Sequence, residues 1–189
     1  MSAPDNELLA KVVQSLSQPS VDADGAETGS ILGVAAASYG SRPDEEENTV
    51  PTGFDPRAAA LFEAVVEAAY LVANADGEFD ADERVAFEGV VVKASGENVD
   101  ARQVQALLAD LAELLEEDGQ ETRVKMIGRT VTNQVHQREV LRVAALLAHI
   151  SGGVSDVEKG VLQSLAGAFD LDDVAVSDAI SSAEKSLAS

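Results

Sequence analysis

This 189-residue chain contains a dense run of acidic side chains, which could bind a metal ion, between residues 76 and 83. Five carboxylates fall within eight residues, and like charges at that density repel one another unless solvent or a cation relieves them. Carboxylate oxygens are hard ligands that favour calcium, magnesium or manganese over soft metals. The run therefore predicts a divalent-cation site whose candidate ligands are Asp76, Glu78, Asp80, Asp82 and Glu83.

The spacing of these carboxylates differs from that of a calcium-binding EF-hand loop. If Gly77 takes the sixth position of such a loop, Asp80 and Glu83 fall at the ninth and twelfth positions. The first position, which needs a carboxylate, would then be Val72, inside an apolar helix. A cation bound here would therefore use a different arrangement of ligands.

The acidic run lies inside one copy of an internal repeat. A shift of 75 residues pairs Gly77 with Gly152 and Glu83 with Glu158. Each copy is interpreted as a helix, a glycine turn and a second helix that begins at a capping box. Glu83 is thus either a capping-box residue or a metal ligand. The carboxylates that the second copy lacks are Asp76, Glu78 and Asp82, which become Ser151, Gly153 and Val157.

Apolar residues recur at three- and four-residue spacing after residue 56, which indicates amphipathic helices. Asp55 and Pro56 mark the first start, because aspartate caps a helix and proline is tolerated at its first position. No segment alternates like a β-strand. We therefore expect residues 57–189 to form an all-α, compact bundle of about seven helices, built from two related helix-turn-helix halves. The predicted helices are 56–75, 81–94, 101–117, 121–130, 133–150, 156–169 and 173–187.

Residues 1–56 differ from the rest of the chain in composition. They carry ten acidic and two basic side chains, a net charge of −8. High net charge with little hydrophobicity is typical of disordered segments. We therefore expect an acidic, poorly ordered and largely extended N-terminal tail, with room for one short helix over residues 7–16. A second apolar island at residues 31–37 could dock on a partner or on the folded domain.

Composition excludes several classes of protein. The net charge is −21, aromatic residues make up 4% of the chain and there is no Trp, so the chain lacks the basic and stacking groups of a nucleic-acid binder. It has no Cys for a disulfide or thiolate site, and no apolar run near the roughly 20 residues that span a membrane. No secretory signal and no catalytic nucleophile motif is present. We expect a cytoplasmic protein that is not an enzyme and does not insert into membranes.

The acidic run and its flanking helices resemble a known family. The motif Ala-Asp-Gly-Glu-Phe-Asp-Ala-Asp-Glu-Arg occupies residues 75–84, and its second copy keeps Gly152, Ser155 and Glu158. Helix, Asp-Gly turn, spaced acidic residues and second helix are similar to the TerB-like domain of tellurite-resistance proteins. The resemblance covers about residues 57–187.

The TerB-like resemblance implies a compact all-α domain of two related halves. It also implies a non-enzymatic, metal-associated scaffold in the stress response, with protein partners in membrane-associated or multi-subunit complexes. By position, Asp76, Asp80 and Glu83 match the acidic motif. Ser151 departs from it, because a carboxylate there would complete a symmetric pair of metal sites.

Two functions stay open at this point. The first is a stress-response scaffold that binds a divalent cation through the 76–83 loop. The second is a metal-independent adaptor or cargo protein whose acidic N-terminal tail docks on a larger assembly. A concentration of basic residues at 123–142 could form one face that holds the tail, or could form separate ion pairs with nearby carboxylates. These residues are Arg123, Lys125, Arg129, Arg138 and Arg142.

Overall fold

A computed structural model describes residues 5–18, 20–21, 27–28, 30–41, 54–77 and 79–188 of the chain. Within these ranges the fold is an all-α bundle of nine helices. They are α1 (Asn6–Ser17), α2 (Ile31–Gly40), α3 (Pro56–Ala73), α4 (Ala81–Ala94), α5 (Ala101–Asp118), α6 (Gln120–Thr130), α7 (Gln134–Ala148), α8 (Asp156–Ala168) and α9 (Asp173–Ala188).

The predicted helices of residues 57–189 are confirmed within about two residues at each end, as α3 to α9. The main difference lies after α7, where the chain tightens into a 3₁₀ turn at His149–Ser151. One pair of two-residue strands, β1 (Ser20–Val21) and β2 (Glu27–Thr28), also forms an antiparallel ladder. So short a pairing offers no alternation for a sequence pattern to detect.

Helix α3 lies at the centre of the bundle and packs mainly against α7 and α2. Its residues from Ala64 to Val72 are all buried, so this helix is apolar on every side rather than along one stripe. One charged side chain, Glu67, belongs to that buried stretch. It lies on the side where α3 meets α6 and forms an ion pair with Arg123.

Three helices begin with the capping boxes that the sequence predicts. In α4, α5 and α8 the cap side chain accepts from the third backbone N–H, and the third side chain accepts from the cap N–H. Each box satisfies two amides that the helix itself leaves without partners. A cap of this kind stabilises a helix by about 1 kcal/mol. The cap and third-position residues are Asp80 and Glu83, Asp100 and Gln103, and Ser155 and Glu158.

The expectation of an extended, poorly ordered N-terminal tail is wrong at residues 31–40, which form α2. The possible short helix at 7–16 is confirmed, because it lies within α1. Helix α1, which includes the predicted short helix at 7–16, buries Val12 and Leu16, and helix α2 buries Leu32 and Ala36. Both helices belong to the same hydrophobic core as α3. Among the described residues the bundle therefore has nine helices, the seven predicted for residues 57–189 and these two. The average composition of residues 1–56 hid these helices, because nine of the ten acidic residues lie outside them.

Two contacts hold the end of α1 against the bundle. Ser30, at the start of α2, donates through Oγ to the carbonyl oxygen of Leu16. Arg142 of α7 donates through Nη1 to the carbonyl oxygen of Ser15 at 3.3 Å. A helix leaves its last four carbonyls without partners, so these donors complete the C-terminal turn of α1. No helix among the described residues is long and apolar enough to cross a membrane.

Candidate functional site

Aromatic packing fixes the turn between α3 and α4, which carries the predicted metal site. Gly77 has a φ of +79°, a conformation that glycine adopts without strain. Phe79 then packs edge-on against Tyr70 and Phe87, with ring centroids 5.7 Å apart in both pairs. Burial raises the pKa of Tyr70, and the positive charge of Arg84 partly opposes that rise. The apolar residue that the sequence predicts as the anchor of the turn is therefore Phe79.

Two of the predicted ligands, Asp80 and Glu83, are engaged in the cap of α4. One carboxylate oxygen of Asp80 accepts from the backbone N–H groups of Asp82 and Glu83, both at 2.9 Å. Glu83 accepts from the Asp80 N–H at 3.1 Å and is only 6% exposed. Both carboxylates therefore make the hydrogen bonds that the capping interpretation requires.

The second copy of the repeat repeats this arrangement with different chemistry at the cap. Glu158 accepts from the Ser155 N–H at 2.7 Å, and Ser155 Oγ accepts from the Glu158 N–H at 3.3 Å. Glu158 is also 6% exposed. Because the same buried glutamate occurs in both copies, capping explains Glu83 and Glu158 without a metal ion.

An acidic cleft of about 510 Å³ lies where the two repeat turns meet. Asp76 and Glu83 reach it from the first turn, Glu158 from the second and Glu184 from α9. Burial raises the pKa of Glu158, the hydrogen bonds with Ser155 oppose that rise, and the negative charge of Asp76 adds to it. The cleft thus concentrates negative charge at a partly desolvated place, which favours a bound cation or proton.

His149 lines the same cleft at the end of α7. Its Nδ1 lies 2.7 Å from the carbonyl oxygen of Ala145, which can only accept a hydrogen bond. The proton of a neutral ring is therefore on Nδ1, and Nε2 keeps the lone pair. This histidine could add one nitrogen ligand to the oxygen ligands of the cleft.

The structure does not bring the four described ligand candidates to one place. Asp76 and Glu83 lie at the acidic cleft, while Asp80 faces its own helix and Asp82 lines a groove elsewhere on α4. Glu78 lies outside the described residues. Among the residues that the structure describes, no group of three or more His, Asp or Glu side chains is arranged to hold a metal ion.

Sequence reasoning missed part of the cleft. The repeat pairs Glu83 with Glu158, so the repeat alone could have indicated Glu158 as a neighbour of the first turn. No repeat or motif in the sequence indicates that Glu184 lies near the first turn. It reaches the cleft only because α9 packs against α7 and α8.

A second cavity, the α1/α4 groove, is apolar and has a volume of about 590 Å³. Each helix contributes side chains at three- and four-residue spacing, which is one helical face. The side chain of Val85 is part of this lining and is 67% exposed. The apolar lining residues are Leu9, Ala10 and Val13 of α1 and Val85, Ala86, Gly89 and Val90 of α4.

Gly89 lies in the middle of α4, on the open side of this groove. A β-carbon at this position would have no atom within 4 Å outside its own helix turn. Glycine in a helix interior costs about 1 kcal/mol relative to alanine. Packing among the described residues gives no reason for that cost, whereas a ligand that approaches the helix backbone closely would.

Three of the five basic residues at 123–142 form ion pairs with nearby carboxylates. Arg123 pairs with Glu67 and Asp118, Lys125 pairs with Glu121, and Arg142 pairs with Glu139. The hydrogen bond that Arg123 donates to Glu67 raises the pKa of Arg123 above its usual value. Arg142 also donates to the Ser15 carbonyl oxygen of the N-terminal segment, so it takes part in both of the predicted arrangements.

Comparison of the chain with protein-family models, curated proteins and solved structures found no match. The TerB-like resemblance consequently stays a prediction that depends on the motif at residues 75–84 and its second copy.

Proposed function

We propose that this chain is a non-enzymatic adaptor that binds an apolar segment of a protein partner in the α1/α4 groove. The observation that carries the proposal is the groove itself, an apolar trough with Val85 exposed in it. Apolar grooves between helices are a recurring site for amphipathic helices of partner proteins. The polar residues at its edges give the apolar centre and polar rim of a protein interface.

This function corresponds to the metal-independent adaptor, with one change in how the partner is held. The N-terminal segment contributes a wall of the groove through α1 instead of acting as a free acidic tail. Capping explains Asp80 and Glu83, and Asp82 lines the groove, which weakens the case for a metal ion held by all five acidic residues. The stress-response context and a multi-subunit partner complex remain predictions.

The proposal is tested with an uncharged 15-residue amphipathic peptide of leucine, alanine and glutamine as probe. We expect it to shift the NMR signals of α1 and α4 in the full-length ¹⁵N-labelled chain. Gly89→Leu fills the groove and should weaken binding at least about tenfold, or about 1.4 kcal/mol. Gly160→Leu is the matched control, because a β-carbon there also meets nothing within 4 Å. Equal weakening by both variants, or shifts away from α1 and α4, would contradict the proposal.

A second candidate function is supported by the acidic cleft. Asp76, Glu83, Glu158 and Glu184 line it, and none of the described lining residues is Lys or Arg. A divalent cation there would relieve their repulsion and join the two repeat turns to α9. The side chains would have to close around the ion, because the described residues hold no ready ligand cluster. Such a cation would make the protein a metal-associated scaffold.

Thermal unfolding separates the two candidates. After chelation, calcium, magnesium or manganese at about 100 times the dissociation constant should stabilise the fold by about 2.7 kcal/mol. For a chain of this size that is a rise in the midpoint of about 5–11 °C. The rise should vanish in Asp76→Asn and persist in Asp110→Asn, an exposed position of α5. If no ion raises the midpoint, the metal scaffold is wrong.

A further inference from the structure

The direction of its two helices gives the α1/α4 groove two distinct ends. The end of α1 meets the start of α2, where Ser30 donates to Leu16. The end of α4 meets α2 as well, since a β-carbon at Gly33 would lie 4.0 Å from the Ala94 carbonyl oxygen. The two helices therefore run in the same direction, and their N-terminal ends lie at the same end of the groove.

Charge differs between these two ends. At the N-terminal end Asp5 caps α1, Asp80 caps α4, and Asp82 lines the groove itself. All three residues are exposed. At the other end Lys93 lines the groove. The groove is thus apolar along its length, negative at one end and weakly positive at the other.

The length of the groove and the charge of the chain restrict which partner can bind there. Helix α4 has 14 residues, which correspond to about 21 Å at 1.5 Å per residue. A partner helix of about four turns would match the groove. The chain carries a net charge of −21, so a second copy of itself or an acidic segment would meet repulsion along the whole approach.

We infer that the occupant is an amphipathic helix of a partner protein with basic residues at the end that lies over Asp5, Asp80 and Asp82. This inference rests on the proposed docking function and adds the charge and orientation of the partner. The apolar stripe of the partner supplies contact area over Val85 and Gly89. Its basic end supplies faster association and a preferred direction, which complementary charge provides in protein interfaces.

The test compares three peptides that share one apolar stripe and differ at a single end. That end carries lysine and arginine, glutamine, or glutamate, and binding to the full-length chain is followed by fluorescence anisotropy. We expect the basic peptide to bind at least about tenfold more tightly than the glutamine peptide at low salt. The difference should shrink as salt screens the charges. The glutamate peptide should bind most weakly.

Two variants distinguish local charge from the overall field of the protein. Asp82→Lys and Asp110→Lys change the net charge equally, but only Asp82 lines the groove. We expect Asp82→Lys to remove most of the preference for the basic peptide and Asp110→Lys to keep it. Equal effects of the two variants would overturn the inference, because binding would then follow the total charge.

The outcomes for the inference and for the docking function are distinct. If the glutamine and basic peptides bind equally well and both shift α1 and α4, docking stands and the inference about charge fails. If no peptide shifts these helices, the docking function fails as well. Tightest binding by the glutamate peptide would also overturn the inference.

Discussion

The ion pair between α6 and α3 should contribute measurably to the free energy of unfolding. Arg123 Nε lies 2.6 Å from Glu67 Oε1, and the two side chains are 11% and 9% exposed. A second bond runs from Arg123 Nη1 to Asp118 at 3.0 Å, nearer the surface. Replacing Arg123 by methionine keeps most of the apolar stem and removes the charge that Glu67 faces. Glu67 is then a buried carboxylate without its cationic partner.

Breaking a buried ion pair from one side costs about 3–5 kcal/mol. The pair is slightly exposed, so the lower end of that range, about 3 kcal/mol, is the expected loss for Arg123→Met. A chain of this size loses about 2–4 °C in its thermal midpoint per kcal/mol, which gives a fall of about 6–12 °C. Urea unfolding followed by far-UV circular dichroism measures the same loss as a lower midpoint with an unchanged slope.

Two further variants make the reasoning refutable. Lys125→Met removes a neighbouring cation of α6 whose partner Glu121 is exposed, and it should leave the midpoint unchanged within error. The double variant Glu67→Leu/Arg123→Met should recover most of the lost stability, because an apolar pair needs no charge partner. If Arg123→Met costs no more than Lys125→Met, or the double variant is no better than the single one, the account of this ion pair is wrong.

Three other predictions follow from the packing, the groove and the cleft. Gly40→Ala should lower the free energy of unfolding, measured in urea, by about 1–3 kcal/mol. The reason is that a β-carbon would lie 1.8 Å from the Asn98 carbonyl oxygen. An unchanged stability would mean that α2 is not docked. Gly89→Ala should stabilise the chain by about 1 kcal/mol in the same assay; a loss would mean that the open side of α4 is filled. Glu158 has a raised pKa, so its contribution to stability is complete below its ordinary value of 4.5 and is lost as pH rises through the raised value. Glu158→Gln should therefore gain in midpoint relative to the wild type on going from about pH 4 to 7; a constant difference would contradict this.

Most of the bundle could be predicted from sequence because its signals are local. Helices α3 to α9 have apolar periodicity that repeats over three or more turns, and most begin at residues that cap a helix. The caps at Asp55, Asp80, Asp100 and Ser155 are each confirmed by a hydrogen bond to a backbone N–H. Such bonds depend on residues two or three positions away, so a sequence window contains all the information.

Helix α2 and the two cavities could not be predicted because they depend on distant parts of the chain. Within α2, Leu32 and Ala36 are buried but the apolar residues surround the helix, so no face distinguishes it from an apolar loop. The groove needs α1 beside α4, and these helices are more than 60 residues apart in sequence. Glu184 reaches the cleft through the packing of α9, which no short motif encodes.

The differences between the two repeat copies gain a second explanation from the groove. Asp82 is one of the carboxylates that the second copy lacks, and this absence suggested a metal ligand. In the structure Asp82 lines the groove, and its counterpart Val157 is exposed on α8. Val85 and Gly89 likewise correspond by the 75-residue shift to Gly160 and Ser164, so the exposed part of the apolar face of α4 is not repeated. The presence of Asp82 in the first copy alone is therefore explained by its position in the groove between α4 and α1. Asp76, which the second copy also lacks, lines the cleft instead of the groove. Asp76→Asn therefore tests the metal ion, and Asp82→Lys tests the partner.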